Sequence, residues 1–221
     1  MYMNKHKVFI SYHHHLDQDY KDYLEELNEE HQIFINQSVK LGEIDDSLST
    51  ETIREKIRDE YLQDSSVLIL LVGLETKNRK HIDWEIYSSM RDSKKNKKSG
   101  ILVINLPTIN CKYYTAAHGE GEKSLYPSTT WVSINDREEY EQRYPYMSDR
   151  IIDNLLTHKS FISVINWDDI VNNPEKLRYL IDLTFQDKDK AEYDLSRPMK
   201  GKNSSNNSTN SIFQNLFQME P

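Results

Sequence analysis

"SVLILLVGLETKNRKHIDWEI", residues 66–86, decides the fold. After the opening serine come six aliphatic residues with no polar alternation, and Gly73 closes the run. An unbroken apolar run of this length fits a strand buried on both faces, as in a parallel sheet. Beyond the glycine the period changes. Ile82, Ile86 and Met90 recur at four-residue spacing, which predicts a helix reaching about Ser93.

The same couplet repeats on either side. Residues 8–11 read as a strand. "DQDYKDYLEELNEEH" reads as a helix capped by Asp17, with Tyr20, Tyr23, Leu24 and Leu27 at helical spacing. "IFIN" (33–36) is a second short strand. A polar loop around Gly42 follows over 37–48, and "STETIREKIRDEYL" then places Ile53, Ile57 and Tyr61 four apart. Downstream, the basic run "KKNKK" is a solvated turn, and "ILVINLP" (101–107) is another buried strand, closed by proline. Strand and helix thus alternate through residue 107. That order predicts an α/β, flavodoxin-like doubly wound parallel sheet with a C-terminal extension. Right-handed crossovers put the strand carboxyl ends on one edge, where ligands of such sheets bind. Residues 11–13, 37–48 and 73–79 should share that rim.

The organisation expected is a core at 1–107, residues 108–195 completing or extending the same domain, and a low-complexity tail at 196–221. Residues 108–147, rich in tyrosine and interrupted by Pro127 and Pro145, read as an insertion with a hairpin or irregular loop. "DRIIDNLL" is helical, "SFISVINW" (160–167) is a strand, and Asn173 caps a helix with Pro174 at its first position. The tail, "KGKNSSNNSTN", has no means of building a core. Ile212, Phe213, Leu216 and Phe217 beyond it would form an apolar docking cluster if helical.

Composition narrows the functions. The net charge of −8 makes the chain a poor general binder of nucleic acid or anionic membrane, so neither is expected as a partner. A single cysteine, Cys111, excludes an intramolecular disulfide and a cysteine-built zinc site and suits a reducing cytoplasm, the expected location. No apolar run approaches the roughly 18 residues of a membrane helix, and the amino terminus lacks a leader-like apolar stretch.

The candidate sites are few. In "SYHHHL" (11–16), three adjacent histidines alternate in direction along a strand and do not converge on one ion, so no metal is expected. His13 is the one placed to face a ligand at the sheet edge. Glycine-rich phosphate loops and a nucleophile elbow are missing from the sequence. Glu85 sits one position off the apolar stripe of its helix. Alone it reads as a solvated acid or as an answer to the helix dipole. With a buried strand, Gly73, Thr76 and Trp84 ahead of it, it also reads as a carboxylate in a pocket walled by an aromatic ring. Trp84 is equally open to core packing.

"VFISYH" at the first strand, the polar loop after the second, and "SSVLILLVGLETKNRKHIDWEI" together resemble the TIR-like family, in particular its prokaryotic branch and the TIR component of Thoeris anti-phage systems. The resemblance covers about residues 6–106. It implies cleavage of NAD+ at the nicotinamide–ribose bond, with NAD+ as substrate and no permanently bound cofactor. Glu85 matches the catalytic glutamate. Ser11, Tyr12 and His13 match the rim that meets substrate, and Thr76, His81 and Trp84 complete the substrate-binding set. Many members carry tryptophan four residues before the glutamate. Here His81 stands there and Trp84 adjoins Glu85.

The resemblance further implies an ADP-ribose-derived signal, cyclic or conjugated, that activates a separate effector on a phage-derived trigger, and a homo-oligomeric assembly. A glutamate near a helix amino terminus would be held ionised there and could stabilise an oxocarbenium-like transition state. The alternative function is a non-catalytic module that self-associates through the 37–48 loop. A receiver-like protein is disfavoured, because Ser11 and Tyr12 stand where its acidic pair would be.

Overall fold

The computed structural model describes residues 5–37, 52, 55–93 and 96–204. Five strands form one all-parallel sheet: β1 (Lys7–Ser11), β2 (Ile35–Asn36), β3 (Val67–Val72), β4 (Gly100–Asn105) and β5 (Ser163–Asn166). Their order is β2-β1-β3-β4-β5, so the direction of winding reverses between β1 and β3. This is the flavodoxin-like arrangement, and its switch point lies at the carboxyl ends of those two strands.

The unbroken apolar runs do what their pattern requires. All six residues of β3 and all six of β4 are buried. Alternate side chains enter two cores. Leu68, Leu70 and Val72 join Ile101 and Val103 on one face, while Val67, Ile69 and Leu71 join Leu102 and Ile104 on the other. The second face is covered by α1 (Gln18–His31) and a carboxyl-terminal helix (Pro174–Asp187). As read from the sequence, Pro174 opens that helix and the Asn173 side chain accepts from the Lys176 amide at 3.0 Å. Gly100 is required for its approach, because a β-carbon there would collide with the Thr184 carbonyl.

The first face is covered by α2 (Lys80–Ser89) and, further along, by the helix Asp149–Leu156. Helix α2 is shorter than the apolar spacing predicts and follows a 3-10 turn, Thr76–Asn78. It is also not amphipathic: every residue from Ile82 to Ser89 is buried. Sheet, neighbouring helix and carboxyl-terminal segment surround it together. The helix expected after the 37–48 loop is described only near its end, as a π-helical turn at Ile57–Tyr61 with Ile57 in the core. The 38–48 part of that loop, Ile53 and the 212–217 apolar cluster lie outside the described residues.

Between β4 and β5 come a 3-10 turn (Pro107–Ile109) and three helices: α3 (Glu120–Lys123), α4 (Arg137–Arg143) and α5, the Asp149–Leu156 helix named above. Residues 108–147 are therefore irregular with short helices, tied to β5 by one antiparallel bridge between Thr115 and Val164. Helices α6 (Asp168–Val171) and α7 (Pro174–Asp187) complete the order.

Past α7 the chain does not leave the surface at Ser196. Arg150, fully buried on α5, grips Asp83 of α2 through Nε and Nη2 at 2.9 and 3.1 Å. It also donates to the Arg197 and Pro198 carbonyls at 2.9 and 3.1 Å. The Lys200 amide closes on Asp83 at 2.8 Å. Asn203 accepts from the Lys80 amide at 2.9 Å, satisfying a donor at the start of α2. Residues 197–204 thus strap α2 to α5 by polar contacts, which a search for apolar side chains does not reveal. No helix among the described residues is long and apolar enough to cross a membrane.

Candidate functional site

Ser11 is the last residue of β1, and strand alternation turns its side chain toward α2. There its hydroxyl donates to Glu85 Oε2 at 2.5 Å. Both residues are buried, Ser11 to 1% and Glu85 to 4% exposure. The Arg150–Asp83 pair fixes the helix two residues before Glu85. The carboxyl group is therefore anchored from both sides at the switch point of the sheet.

Its environment reverses the charge state expected from its place in the helix. Burial pushes the Glu85 carboxyl up to about 8, against the opposing pull of the Ser11 hydrogen bond. Glu85 is the sixth residue of the helix, beyond the first turn where the dipole acts, so desolvation dominates. At neutral pH a group so raised is mostly protonated. Nor does Glu85 lie outside the packed surface of α2, as its offset from the apolar stripe suggested.

A second carboxyl group shares this rim. The sequence makes Asp17 a helix cap, but its side chain makes no capping bond to α1. It is 1% exposed and lies against the α-carbon of Gly73, where any β-carbon would strike its oxygens. Burial raises its pKa to about 6, offset by a bond from the His13 backbone. Its Oδ2 has no hydrogen-bond partner among the described residues. The signal for this contact is spread over the chain. Asp17 follows β1, Gly73 ends β3, and these strands are neighbours in the sheet, so a side chain from one turn can enter the space a glycine leaves in the other.

The remaining candidates divide. His13 shapes the first turn, its carbonyl accepting from the Leu16 and Asp17 amides at 3.2 and 2.9 Å. Its Nδ1 is buried without a partner among the described residues, and its pKa is lowered, first by burial and then by Arg79. Thr76 is a local fastener: its hydroxyl accepts from the Gly73 amide at 2.9 Å and reaches the Leu71 carbonyl at 3.3 Å. Tyr12 points to the other face of the sheet. It stacks on His14 with centroids 4.5 Å apart and donates to Gln18 at 2.8 Å, beside α1.

His81 and Trp84 pair with each other, edge to face at 5.1 Å. The Trp84 indole N–H is taken by the Lys200 carbonyl at 2.8 Å, and its ring belongs to the core around α2. Trp84 therefore serves the strap, with His81 against its ring, while Glu85 reaches Ser11. The structure brings together Ser11 and Glu85 at one place, Asp17, Gly73, His13 and Thr76 around the same strand ends, and His81 with Trp84 at another. Among the described residues no group of three or more His, Cys, Asp or Glu is arranged to hold a metal ion.

A doubly wound, flavodoxin-like α/β protein with buried carboxyl groups at the switch point of its sheet is the class this geometry defines. Within that class, residues 9–110 match a family described as "Thoeris protein ThsB, TIR-like domain". Over that range, from within β1 through the turn after β4, the chain resembles the TIR-like domain of Thoeris. No curated protein matches the chain.

Proposed function

We propose that the Ser11–Glu85 rim cleaves the nicotinamide–ribose bond of NAD+, releasing nicotinamide and an ADP-ribose-derived signal that activates a separate effector in cytoplasmic anti-phage defence. The observation that carries this reading is the buried carboxyl of Glu85, raised to about 8 and hydrogen-bonded by Ser11 at the carboxyl edge of the sheet. Asp17 supports it as a second buried acid raised to about 6. An acid held neutral by desolvation is stabilised as a carboxylate by an incoming cation. The nicotinamide riboside end of NAD+ carries that positive charge.

The chemistry needs little else. Nicotinamide departs as a neutral base, so no general acid has to protonate it. As the glycosidic bond breaks, positive charge passes from the pyridinium ring to the ribose. A carboxylate fixed beside the ribose stabilises that charge without reorganising. The Ser11 hydroxyl holds one carboxyl oxygen and so sets its direction. Water, an internal hydroxyl or ring nitrogen, or a second molecule then takes the ribosyl carbon.

Purified chain incubated with NAD+ should release nicotinamide, and mass spectrometry should show the matching ADP-ribose product. Glu85→Gln should lower the rate by about 10²–10³, the usual cost of one dominant electrostatic contact. Full activity in folded Glu85→Gln protein would exclude this carboxyl as the catalytic group.

A further inference from the structure

Residues 112–158 enclose a cleft at the opposite end of the sheet edge, beside β5 and three strands away from β1, about 14 Å at the usual strand spacing. Its volume, about 360 Å³, falls in the range of small-molecule sites. Its charge is the reverse of the chain's. The protein has 36 acidic residues and a net charge of −8, yet none of the described residues lining this cleft is acidic. Lys112, Lys123, Arg143 and His158 line it, together with the aromatic rings of Tyr113 and Trp131.

The cations are available to a ligand. Lys123 pairs with Glu120 at 3.0 Å and Arg143 with Glu139 at 2.6 Å, but both acids lie outside the lining; the first pair is exposed and the second part-buried. An exposed pair contributes little, and a part-buried one can exchange its carboxylate for a more highly charged anion. A phosphate group, with nearly two negative charges and three acceptor oxygens, competes for them on favourable terms. The Arg143 guanidinium is also held 5.0 Å from the Tyr113 ring, which limits its freedom before any ligand arrives. Trp131 is steadied by an edge-on contact with Tyr126, centroids 6.1 Å apart. A restrained guanidinium with two lysines beside an aromatic wall matches a ligand that carries phosphate and a flat ring.

We propose that this cleft binds a nucleoside phosphate, with the phosphate among Lys112, Lys123 and Arg143 and the base against Trp131. It is a second ligand site, separate from the Ser11–Glu85 rim. It also gives the insertion after β4 a role that its irregular structure does not explain.

The test is titration of the full chain with AMP, adenosine and inorganic pyrophosphate, followed by amide NMR shifts. AMP should bind saturably and shift residues 112–116, 129–134 and 143, with adenosine weaker. Lys112→Glu and Arg143→Gln should each weaken AMP about tenfold or more, the size of one lost charge-assisted bond. Trp131→Ala should weaken AMP and adenosine and spare pyrophosphate. All three substitutions lie outside the Ser11–Glu85 rim, so a change in binding is separable from a failure of the catalytic reading. AMP shifts confined to the Ser11–Glu85 rim, no saturable binding, or binding unchanged in both cation variants would overturn the proposal. So would binding of a polyglutamate peptide with none of AMP.

Discussion

Glu85→Gln should make the protein more stable, and increasingly so as the pH rises. The reason lies in the linkage between protonation and folding. The carboxyl group has an ordinary value of 4.5 and sits at about 8 in the folded protein. Below pH 4.5 it is protonated folded or unfolded, and stability is unaffected. Between 4.5 and about 8 the unfolded chain ionises while the folded chain keeps its proton, so each step up in pH favours unfolding. Above about 8 the folded carboxyl ionises too, and the loss is complete. At about 1.4 kcal/mol for each pH unit, the full loss approaches 5 kcal/mol as an upper figure. Glutamine neither gains nor loses a proton, so the variant escapes it.

The size of the effect makes it measurable. Domains of this kind are stable by about 5–15 kcal/mol in total, so this single carboxyl group offsets a large share. The amide is no perfect substitute. Its NH2 group carries two donors where the protonated carboxyl carries one, and leaving the extra donor unpaired costs about 1–3 kcal/mol, but that cost does not change with pH. The slope of the difference is therefore the decisive quantity. Urea unfolding of both proteins by circular dichroism at pH 5, 6, 7 and 8 would give it. Asp17 and the surface acids titrate in both proteins and cancel. The free-energy difference should widen steadily in favour of Glu85→Gln. Parallel curves from pH 5 to 8 would refute the reasoning, because they would show that Glu85 ionises at an ordinary pH and is not desolvated.

Other consequences are open to direct measurement. If Glu85 acts as a carboxylate, kcat/KM for NAD+ should rise with pH toward about 8 in nicotinamide-release assays; Ser11→Ala, which removes the bond holding the value down, should move the rise to still higher pH. A chain ending at Ser196 should melt well below the full chain, because it loses part-buried bonds to Arg150, Asp83 and Trp84 at about 1 kcal/mol each; an unchanged Tm would show the strap to be dispensable. Activity should survive EDTA, and elemental analysis should find no stoichiometric zinc; zinc that disappears in His13→Ala would contradict the reading of the histidine run.

What the sequence discloses and what it hides differ in physical kind. Strand β3 and strand β4 are legible because burial on both faces leaves a local mark, an apolar run without alternation. Asn173 and Pro174 are legible because capping is settled within four residues. Glu85 is legible as a candidate through the resemblance of the segment around it. Its state is not, because desolvation depends on what covers α2, and part of the cover comes from residues 197–204, more than a hundred positions away. Most of their contacts are made by backbone carbonyls and amides, which every residue possesses, joined by the Asn203 side chain and Met199, so composition reads them as an idle tail.

Asp17 illustrates the same limit from the other side. Within its own segment it has the ideal position and chemistry for a helix cap. Only the pairing of β1 with β3 sets it against Gly73, and the glycine, which looks like a simple turn residue, leaves the space that Asp17 fills. Both acids therefore show their unusual state only through partners distant in sequence. A group whose local role and through-space setting disagree is held in place at a cost to stability, and such costs concentrate where function needs them. The pH dependence of stability is accordingly a test of the site that requires no knowledge of the substrate.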